Sequence, residues 1–425
     1  MTSHKGHSTD SATHNPAVSR KQAAAAPPTA LEQRTLQKLL AVLGSPPVQF
    51  VLWEDTRVPP RAAPGDKRVH LHDRRTLWQL VGNPELSFGD AYSRGTLSVE
   101  GDLVEFLELI FRAMAEARRQ SPLLNTLLHW RNRARVNTPD KSRSNIHHHY
   151  NLGNDFFRLW LDEELVYTCA YFPAPDLSLE QAQYAKMAHV CRKLRLQPGE
   201  RVIEAGCGWG TLALYMAREY GVRVRAYNLS GEQIRYARER AAADGLERQV
   251  EFIEDDYRNI SGQCDAFVSV GMLEHVGRAN YGTLGNLIDR CLAPAGRGLI
   301  HSIGRDRPCP MNAWIEKRIF PGAYPPTLRE MMDVFEPAGF SVLDVENLRL
   351  HYARTLEHWL ARYTARQDEV RARFDDDFVR AWRLYLAGSA ASFTTGWLQL
   401  YQVVFTRAGM NDIPWSREHL YIRRD

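Results

Sequence analysis

The sequence has few cysteines, no long apolar run and little net charge, and each shortage argues against a class of protein. Its six cysteines include no CxxC pair and no cysteine–histidine cluster. Neither a zinc site nor a disulfide framework is therefore indicated, and a reducing cytoplasm fits best. No apolar stretch reaches the length of about 18 residues that a transmembrane helix needs. The formal net charge is only +4 over 425 residues, so the average charge does not call for a nucleic-acid partner.

Composition divides the chain into four segments. Residues 1–30 contain Ala, Ser, Thr, His and Pro but few large apolar side chains, which predicts a disordered tail without a signal peptide. Residues 31–121 alternate short strands and helices and predict a small α+β domain. Residues 122–143 form a basic linker that contains Pro139, and residues 144–425 form the largest segment.

The basic linker combines an apolar stripe with a cluster of cations. Four leucines and a tryptophan between Leu123 and Trp130 can form one helix face, and five basic residues follow against one acid, Asp140. Such a segment can lie on an anionic lipid surface. The alternative is a linker helix that packs on the next domain and keeps its arginines in solvent. Both interpretations stay open from the sequence.

From Gln197 onward, strands and helices alternate, which predicts an α/β fold with a doubly wound parallel sheet. Ligands of such sheets bind at the carboxyl ends of the strands, near the switch in strand order. The predicted strands are Arg201–Gly206, Val222–Asn228, Val250–Asp256, Asp265–Gly271, Gly296–Gly304, Ser341–Leu348 and Gln399–Arg407.

The turn VIEAGCGWG, which spans Val202–Gly210, joins the first of these strands to a helix. It lacks the GK[ST] of a phosphate-binding loop, and Thr211 stands where a dinucleotide fingerprint needs its last glycine. Glycines allow the backbone to approach a nucleoside closely, and an acid favours the two cationic groups of S-adenosylmethionine, which carries no phosphate. The turn therefore predicts a site for this methyl donor. The positions of the pattern E-x-G-x-G-x-G are filled by Glu204, Gly206, Gly208 and Gly210.

Two later loops complete the predicted cofactor site. After the second strand, Asn228 and Gln233 offer polar groups for the ribose hydroxyls. After the third strand, Asp256 can accept a hydrogen bond from the adenine amino group, and Tyr257 can lie against the ring. Three adjacent histidines, 147–149, point in different directions and have no carboxylate at metal spacing, so we expect no metal site.

A series of ordered motifs resembles the cyclopropane-fatty-acyl-phospholipid synthases and their mycolic-acid relatives, over about Arg68 to Arg407. The resemblance implies a seven-stranded class I methyltransferase sheet, which is Rossmann-like, behind a sterol-carrier-like, lipid-binding N-terminal domain. The motifs are NPELSFGDAYSRG, HYNLGND, YTCAYF, GMLEHVG, LIHSIG, IFPGAYPP, LHYARTLEHW and QLYQVVF.

The resemblance implies an enzyme that transfers a methylene from S-adenosylmethionine to the double bond of unsaturated acyl chains in phospholipids. Bound bicarbonate would deprotonate the carbocation, which requires an apolar, dry site. Glu274 would have to be protonated or to orient His301, because two adjacent anions repel each other. The implied bicarbonate cage is Cys169, Glu274, His301, Ile303 through its backbone, and Tyr352. The further implied cofactor contacts are Tyr150, Tyr167, Thr168 and Leu229.

Some residues depart from the family pattern. Asn151 replaces the usual aspartate, Ser389 stands where a cysteine is common, and Phe393–Thr394 lacks the usual arginine. The departures leave open a related fatty-acyl methyltransferase that makes methyl-branched, methylene or furan-precursor lipids. A non-catalytic lipid-binding or carrier protein is the alternative of another class, and the intact glycine turn argues against it. A small-molecule methyltransferase is disfavoured by the extra domain.

The resemblance also implies where the protein works and what it meets there. We expect a cytoplasmic protein that is peripherally associated with the inner membrane. Its expected partners are the phospholipid bilayer surface and unsaturated acyl chains, with no nucleic acid. Family members are often dimers, so a homodimer agrees with the resemblance, although no dimer signal is visible in the sequence.

Overall fold

The computed structural model describes residues 26–61, 66–120 and 152–421. The N-terminal part is a small sheet with helices packed on it, as its alternating pattern predicts. Its strands are β1 (Val48–Leu52), β2 (Arg57–Val58), β3 (Lys67–Leu71) and β4 (Leu97–Val99). Its helices are α1 (Ala30–Val42), α2 (Arg74–Gly82), α3 (Pro84–Ser93) and α4 (Leu103–Gln120). The strand order is β2-β1-β3-β4, with β1 parallel to β3.

The first helix shows that order begins before residue 31. Thr29 caps α1 in a capping box, since its N–H donates to Glu32 Oε2 at 2.8 Å and its hydroxyl accepts from the Glu32 N–H. The carbonyl of Ala26 accepts a hydrogen bond from Trp53 Nε1 at 3.0 Å. The cap and this contact hold the described residues that precede α1 against the N-terminal part.

The larger part contains a seven-stranded sheet in the order β10-β11-β9-β8-β5-β6-β7. Strand β11 is antiparallel to both of its neighbours, and the other adjacent pairs are parallel. The expected α/β class with a seven-stranded sheet is confirmed. The strands are β5 (Arg201–Ala205), β6 (Arg223–Asn228), β7 (Val250–Glu254), β8 (Cys264–Val270), β9 (Leu292–Gly304), β10 (Phe340–Asn347) and β11 (Gln399–Arg407).

The helices of the larger part flank this sheet and also cover the carboxyl ends of its strands. The long helix α15 packs against α13 and also against α3 and α4 of the N-terminal part. The helices are α5 (Asn154–Phe157), α6 (Leu179–Lys193), α7 (Thr211–Tyr220), α8 (Gly231–Ala243), α9 (Leu273–Val276), α10 (Tyr281–Cys291), α11 (Ala313–Arg318), α12 (Leu328–Phe335), α13 (Arg349–Ala365), α14 (Gln367–Arg371) and α15 (Asp376–Thr394).

The two parts share one apolar core and pack closely. A Cβ added to Gly89 in α3 would lie 2.4 Å from the ring of Trp314 in α11, so the absent side chain lets the helices meet. Beside this contact, Arg318 forms an ion pair with Asp90 at 2.9 Å. One buried cluster joins core residues from both parts, including Leu36 and Trp359. The N-terminal part and the part with the larger sheet therefore pack into one unit with a shared core.

Several sequence predictions fall outside the described residues. They include the basic linker 122–143, the domain boundaries on either side of it, Tyr150, Asn151 and the three histidines. Within the described ranges, no helix combines the length and apolar character that a bilayer span requires.

Candidate active site

A cavity of about 530 Å³ lies at the carboxyl ends of β5, β6, β8 and β9. This is the edge of a doubly wound sheet at which ligands are expected to bind. Its wall contains twelve of the residues predicted from sequence. They are Tyr167, Thr168, Cys169, Glu204, Gly206, Gly208, Asn228, Gln233, Glu274, His301, Ile303 and Tyr352.

The three glycines of the turn have positive φ angles of 85°, 54° and 83°, but their surroundings differ. A Cβ on Gly210 would lie 2.5 Å from the Phe252 ring and 2.8 Å from Ala237, so this glycine lets α7 pack closely on β7 and α8. A Cβ on Gly208 would meet no described atom within 4 Å, and Gly208 lines the cavity. Gly208 therefore leaves room for a ligand, whereas Gly210 serves the packing.

Glu204 is buried in β5 and brings a carboxylate to the cavity. Its Oε2 has no hydrogen-bond partner among the described residues. Burial raises the pKa of Glu204 to about 8, and the nearby Lys186 partly opposes this shift. An unsatisfied carboxylate oxygen in an apolar cavity suits a cationic ligand, because the cation would stabilise its ionised form.

Asn228 and Gln233 form a small polar network beside the turn. Asn228 Nδ2 donates to Gly208 O at 3.2 Å and to Gln233 Oε1 at 2.7 Å. This fixes the orientation of the Gln233 amide, whose buried Nε2 has no partner within the described residues. The cavity thus offers an amide donor that a ribose hydroxyl oxygen can satisfy.

The structure does not place every predicted cofactor residue in the cavity wall. Gly210, Leu229, Asp256 and Tyr257 are not part of it. The Asp256 carboxylate accepts hydrogen bonds from Arg258, with Arg258 Nη1 at 2.9 Å and 3.1 Å from its two oxygens. The predicted contacts of Asp256 and Tyr257 with adenine therefore stay predictions. Leu229 donates its N–H to Asn228 Oδ1 at 2.9 Å, which supports the loop.

These groups together fit S-adenosylmethionine. Glu204 offers an acid for its cations, Gln233 offers a donor for the ribose, and Gly208 leaves space for the nucleoside. In the part of the chain that the structure describes, no three side chains are grouped so that they could hold a metal ion.

Glu274 and Ile303 meet directly at the next section of the cavity wall. The N–H of Ile303 donates to Glu274 Oε1 at 2.5 Å, while Glu274 Oε2 has no partner among the described residues. Burial raises the pKa of Glu274 to about 7. Its carboxyl group is therefore easily kept protonated, as the sequence analysis allowed, and can then face an anion without repulsion.

His301 is held by residues that sequence reasoning did not select. Gln402 Nε2 donates to His301 Nδ1 at 3.0 Å, and Lys193 Nζ donates to Gln402 Oε1 at 2.7 Å. Burial lowers the pKa of His301 to about 3, so the ring is neutral. Its nitrogen Nδ1 accepts, and Nε2 therefore carries the hydrogen. The orienting partner of Nδ1 is Gln402 rather than Glu274.

Cys169 and Tyr352 complete the predicted cage. The Cys169 Sγ donates to the carbonyl of Ala170 at 3.0 Å, and burial raises the pKa of its thiol well above the usual range. Tyr352 packs its ring 4.6 Å from that of Phe393. Both residues are buried and line the same cavity as His301. All five residues that the resemblance assigned to the cage therefore line this cavity, and Ile303 and Glu274 are in direct contact.

The segment 166–169 is held in place from α6. Gln183 Nε2 donates to the carbonyls of Val166 and Thr168, and Lys186 Nζ donates to Thr168 Oγ1 at 3.0 Å. Tyr167 reaches the other side of the cavity, where its hydroxyl lies 2.7 Å from that of Tyr385. Gln183 and Lys186 were not predicted from sequence, because polar residues on a helix give no local sign that they face an interior segment.

The family model described as mycolic acid cyclopropane synthetase matches residues 137–403, which is more than half of the chain. The chain belongs to this family. As a cyclopropane synthetase family member with this fold, it is an S-adenosylmethionine-dependent methyltransferase. The resemblance inferred from the ordered motifs is thereby confirmed.

Curated relatives of this family member carry three different descriptions. A "Probable fatty acid methyltransferase" of Pseudomonas putida is 34% identical over 390 residues, which are 88% of this chain and 96% of that protein. The cyclopropane-fatty-acyl-phospholipid synthase of Escherichia coli is 36% identical over 365 residues, or 84% and 91% of the two chains. A tuberculostearic acid methyltransferase of Mycobacterium tuberculosis is 33% identical, covering 91% and 93%.

Solved structures agree with the family. A mycolic acid cyclopropane synthase complexed with SAH and CTAB aligns with a TM-score of 0.60 and 30% identity, covering 64% of this chain and 99% of that one. Coclaurine N-methyltransferase aligns with a TM-score of 0.62 but only 21% identity, which shows the fold alone.

Proposed function

We propose that this enzyme transfers a methylene from S-adenosylmethionine to the double bond of an unsaturated acyl chain in a membrane phospholipid, giving a cyclopropane fatty acid. One observation carries the proposal. A single, largely apolar cavity joins the carboxylate of Glu204 and the glycine turn to the Cys169, His301 and Tyr352 cage. The description of the Escherichia coli relative as a cyclopropane-fatty-acyl-phospholipid synthase supports the same reaction.

The residues of the cavity suit an alkene acceptor. An alkene is a weak nucleophile, so it must be held on the donor methyl in a site that excludes water. Aromatic side chains supply much of this wall, including Trp209, Phe320 and Phe393. They give a hydrocarbon chain an apolar surface and shield a developing carbocation from attack by water.

The cage suits a small bound anion. His301 presents Nε2–H, Tyr352 carries a hydroxyl, and a protonated Glu274 adds a donor at its Oε2. A bicarbonate held there would supply the base that takes the proton from the added methyl group. Ile303 contributes indirectly, because its N–H fixes Glu274 rather than pointing to a separate ligand.

We also propose that the enzyme works at the cytoplasmic face of the inner membrane as a peripheral protein, with a homodimer as its assembly. The location of the proposed substrate and the cation-rich sequence of residues 122–143 support membrane association. Binding to anionic vesicles should therefore weaken as the salt concentration rises.

The proposed reaction is tested with purified enzyme, labelled S-adenosylmethionine and vesicles of monounsaturated phospholipid. We expect release of S-adenosylhomocysteine together with a cyclopropane acyl product in the lipid. A His301→Ala variant that still binds the cofactor serves as the control. Unchanged monoenes and no S-adenosylhomocysteine above this control would reject the function.

A second function is favoured by two of the relatives. The names of the Pseudomonas putida and Mycobacterium tuberculosis proteins describe fatty acid methylation rather than ring closure. Ser389 lines the cavity at the position where the family often has cysteine, so the acceptor wall differs there. The mass of the product separates the two functions, because a mature methyl branch is heavier than a ring by two hydrogens.

A further inference from the structure

We propose that the methyl-terminal part of the acyl chain passes between α4 and α15 into the interior of the N-terminal part, which limits how many carbons can follow the double bond. This inference rests on the proposed function, and it assigns a second task to a region that the sequence analysis described only as lipid-binding. The N-terminal part would then be a wall of the acceptor site rather than a separate carrier module.

The cavity itself extends into the N-terminal part. The wall that contains His301 and Tyr352 continues along α15, crosses to α4, and reaches elements α1, β1, β3 and α2. The residues from those four elements that line it are all apolar. They are Leu39, Leu40, Val42, Val48, Phe50, Val69 and Leu80.

Gly388 keeps the passage open between the two parts. It lies inside the long helix α15, and apart from its own helix backbone a Cβ there would meet only Leu107 Cδ1 of α4 among the described atoms, at 3.9 Å. Leu384 and Ser392 stand one turn before and after it and also line the cavity. Glycine disfavours a helix interior, so its presence here costs stability and leaves space between α15 and α4.

The distribution of charge sets the direction of the lipid. A phosphate cannot be buried without polar partners, and the interior formed by α1, β1, β3 and α2 offers no charged side chain to the cavity. Charged side chains line the cavity elsewhere, including Lys186 beside Thr168 and Glu85 of α3, which attracts Arg118. Arg118 lies over the Trp397 ring at 4.2 Å, and Arg305 lies at the start of the loop that leads to α11. The polar end of the lipid therefore belongs on the Arg118 and Arg305 side, and the methyl end points into the interior formed by α1, β1, β3 and α2.

Val69→Phe tests the deep end of this path, because Val69 is buried in β3 and lines the cavity. Three vesicle lipids serve as probes. Oleoyl chains have two more carbons beyond the double bond than palmitoleoyl chains, and vaccenoyl chains have two more before it. We expect Val69→Phe to lower the kcat/KM for oleoyl relative to palmitoleoyl lipid by about tenfold, and to leave the vaccenoyl to palmitoleoyl ratio unchanged.

Each comparison is a ratio of the kcat/KM values of one variant for two lipids. A loss of folded enzyme lowers both values equally and therefore leaves the ratio unchanged. Release of S-adenosylhomocysteine is the readout, so the result does not depend on whether the product is a ring or a branch. An unchanged oleoyl ratio in Val69→Phe would overturn the inference. A selective loss of vaccenoyl turnover would overturn the assigned direction of the chain.

Gly388→Leu tests the passage. We expect it to lower turnover of all three lipids by at least about tenfold while binding of S-adenosylmethionine is kept, because the new side chain fills the space beside Leu107. Gly282→Leu is the matched control: Gly282 is a glycine in α10 with no described atom within 4 Å of an added Cβ, and it is not part of the cavity wall. Wild-type turnover of Gly388→Leu would contradict the passage. No turnover of any lipid by the wild-type enzyme would instead reject the proposed function.

Discussion

Gln402 donates from Nε2 to Nδ1 of His301 at 3.0 Å, and this bond determines which nitrogen of His301 can act in the cavity. Lys193 can only donate, so its 2.7 Å contact fixes the amide oxygen of Gln402 on the opposite side. Lys193 in turn binds Glu346, whose carboxylate also contacts His189 at 2.7 Å. A chain of hydrogen bonds through the buried Gln402 and Lys193 thus holds His301 as a neutral donor that faces the cavity.

Gln402→Leu should lower kcat by about 10–100-fold, because it removes the group that fixes the tautomer and ring orientation of His301. The dissociation constant of S-adenosylmethionine should be unchanged. Gln402→Glu should also be impaired, since a carboxylate would accept from Nδ1–H and turn Nε2 into an acceptor. Turnover with vesicles and cofactor binding by calorimetry are the measurements.

Gln399→Leu is the control for this prediction. Gln399 lies at the start of the same strand, β11, and is not part of the cavity wall. It should retain wild-type turnover. If Gln402→Leu also turns over at the wild-type rate, the orientation of His301 does not depend on Gln402.

The raised pKa of Glu274 predicts how the rate of turnover depends on pH. Because burial raises its pKa to about 7, Glu274 is protonated at lower pH and becomes an anion above this value. An ionised Glu274 would repel bicarbonate, so turnover should fall as the pH rises through about 7. His301, with a pKa of about 3, and the Cys169 thiol, with its raised pKa, stay neutral across this change.

Glu274→Gln should remove this alkaline limb of the pH profile, because glutamine cannot ionise and its amide can still accept from Ile303. Added bicarbonate should move the limb of the wild-type enzyme to higher pH by mass action. Initial rates across pH at several bicarbonate concentrations test both effects. If Glu274→Gln shows the same fall in turnover at alkaline pH as the wild-type enzyme, a group other than Glu274 causes that fall.

The raised pKa of Glu204 predicts how the affinity for S-adenosylmethionine depends on pH. Its pKa is raised to about 8 by burial, so the free enzyme holds the proton at neutral pH. A bound cation favours the ionised carboxylate, and binding must then release the proton. The affinity for S-adenosylmethionine should therefore increase with pH, by up to about tenfold per pH unit, until about pH 8.

Two comparisons make the Glu204 prediction specific. Glu204→Gln should bind S-adenosylmethionine more weakly and show a flatter pH dependence. S-adenosylhomocysteine lacks the sulfonium charge, so its affinity for the wild-type enzyme should depend less on pH. Calorimetry in buffers of different ionisation enthalpy measures the released proton directly. If S-adenosylmethionine and S-adenosylhomocysteine bind with the same pH dependence, Glu204 does not interact with the sulfonium charge.

The local patterns of the sequence predicted regular elements well. Strand β11 has the predicted bounds, Gln399–Arg407, and the bounds of β5 and β6 each differ from the predicted ones at one end by one residue. Strand β9 begins at Leu292, earlier than predicted, because Pro294 and Gly296 resemble a turn although they continue the strand. Helix α3 was not predicted within its motif, although Asn83 caps it and Pro84 begins it.

The site was predictable only where motifs identified it. The cage residues came from family motifs, whereas Lys193 and Gln402 were missed because they are 209 positions apart in the sequence and meet only in the folded chain. Gln402 also stands between Tyr401 and Val403 in β11, where periodicity gives no sign that a polar residue orients a site residue. The extension of the cavity past Gly388 depends on how two helices pack, which no local pattern encodes.

Gly210 and Gly208 should respond differently to alanine, although they belong to the same turn. Gly210→Ala places a Cβ 2.5 Å from Phe252 at a positive φ, so it should reduce the free energy of unfolding by about 2–5 kcal/mol. Gly208→Ala meets open space and should cost only about 1 kcal/mol, since strain is then its main penalty. Because that Cβ enters the cavity, Gly208→Ala should instead weaken S-adenosylmethionine binding. Thermal unfolding and cofactor titration of both variants test this contrast, and a stable Gly210→Ala with lost binding would reverse the two roles.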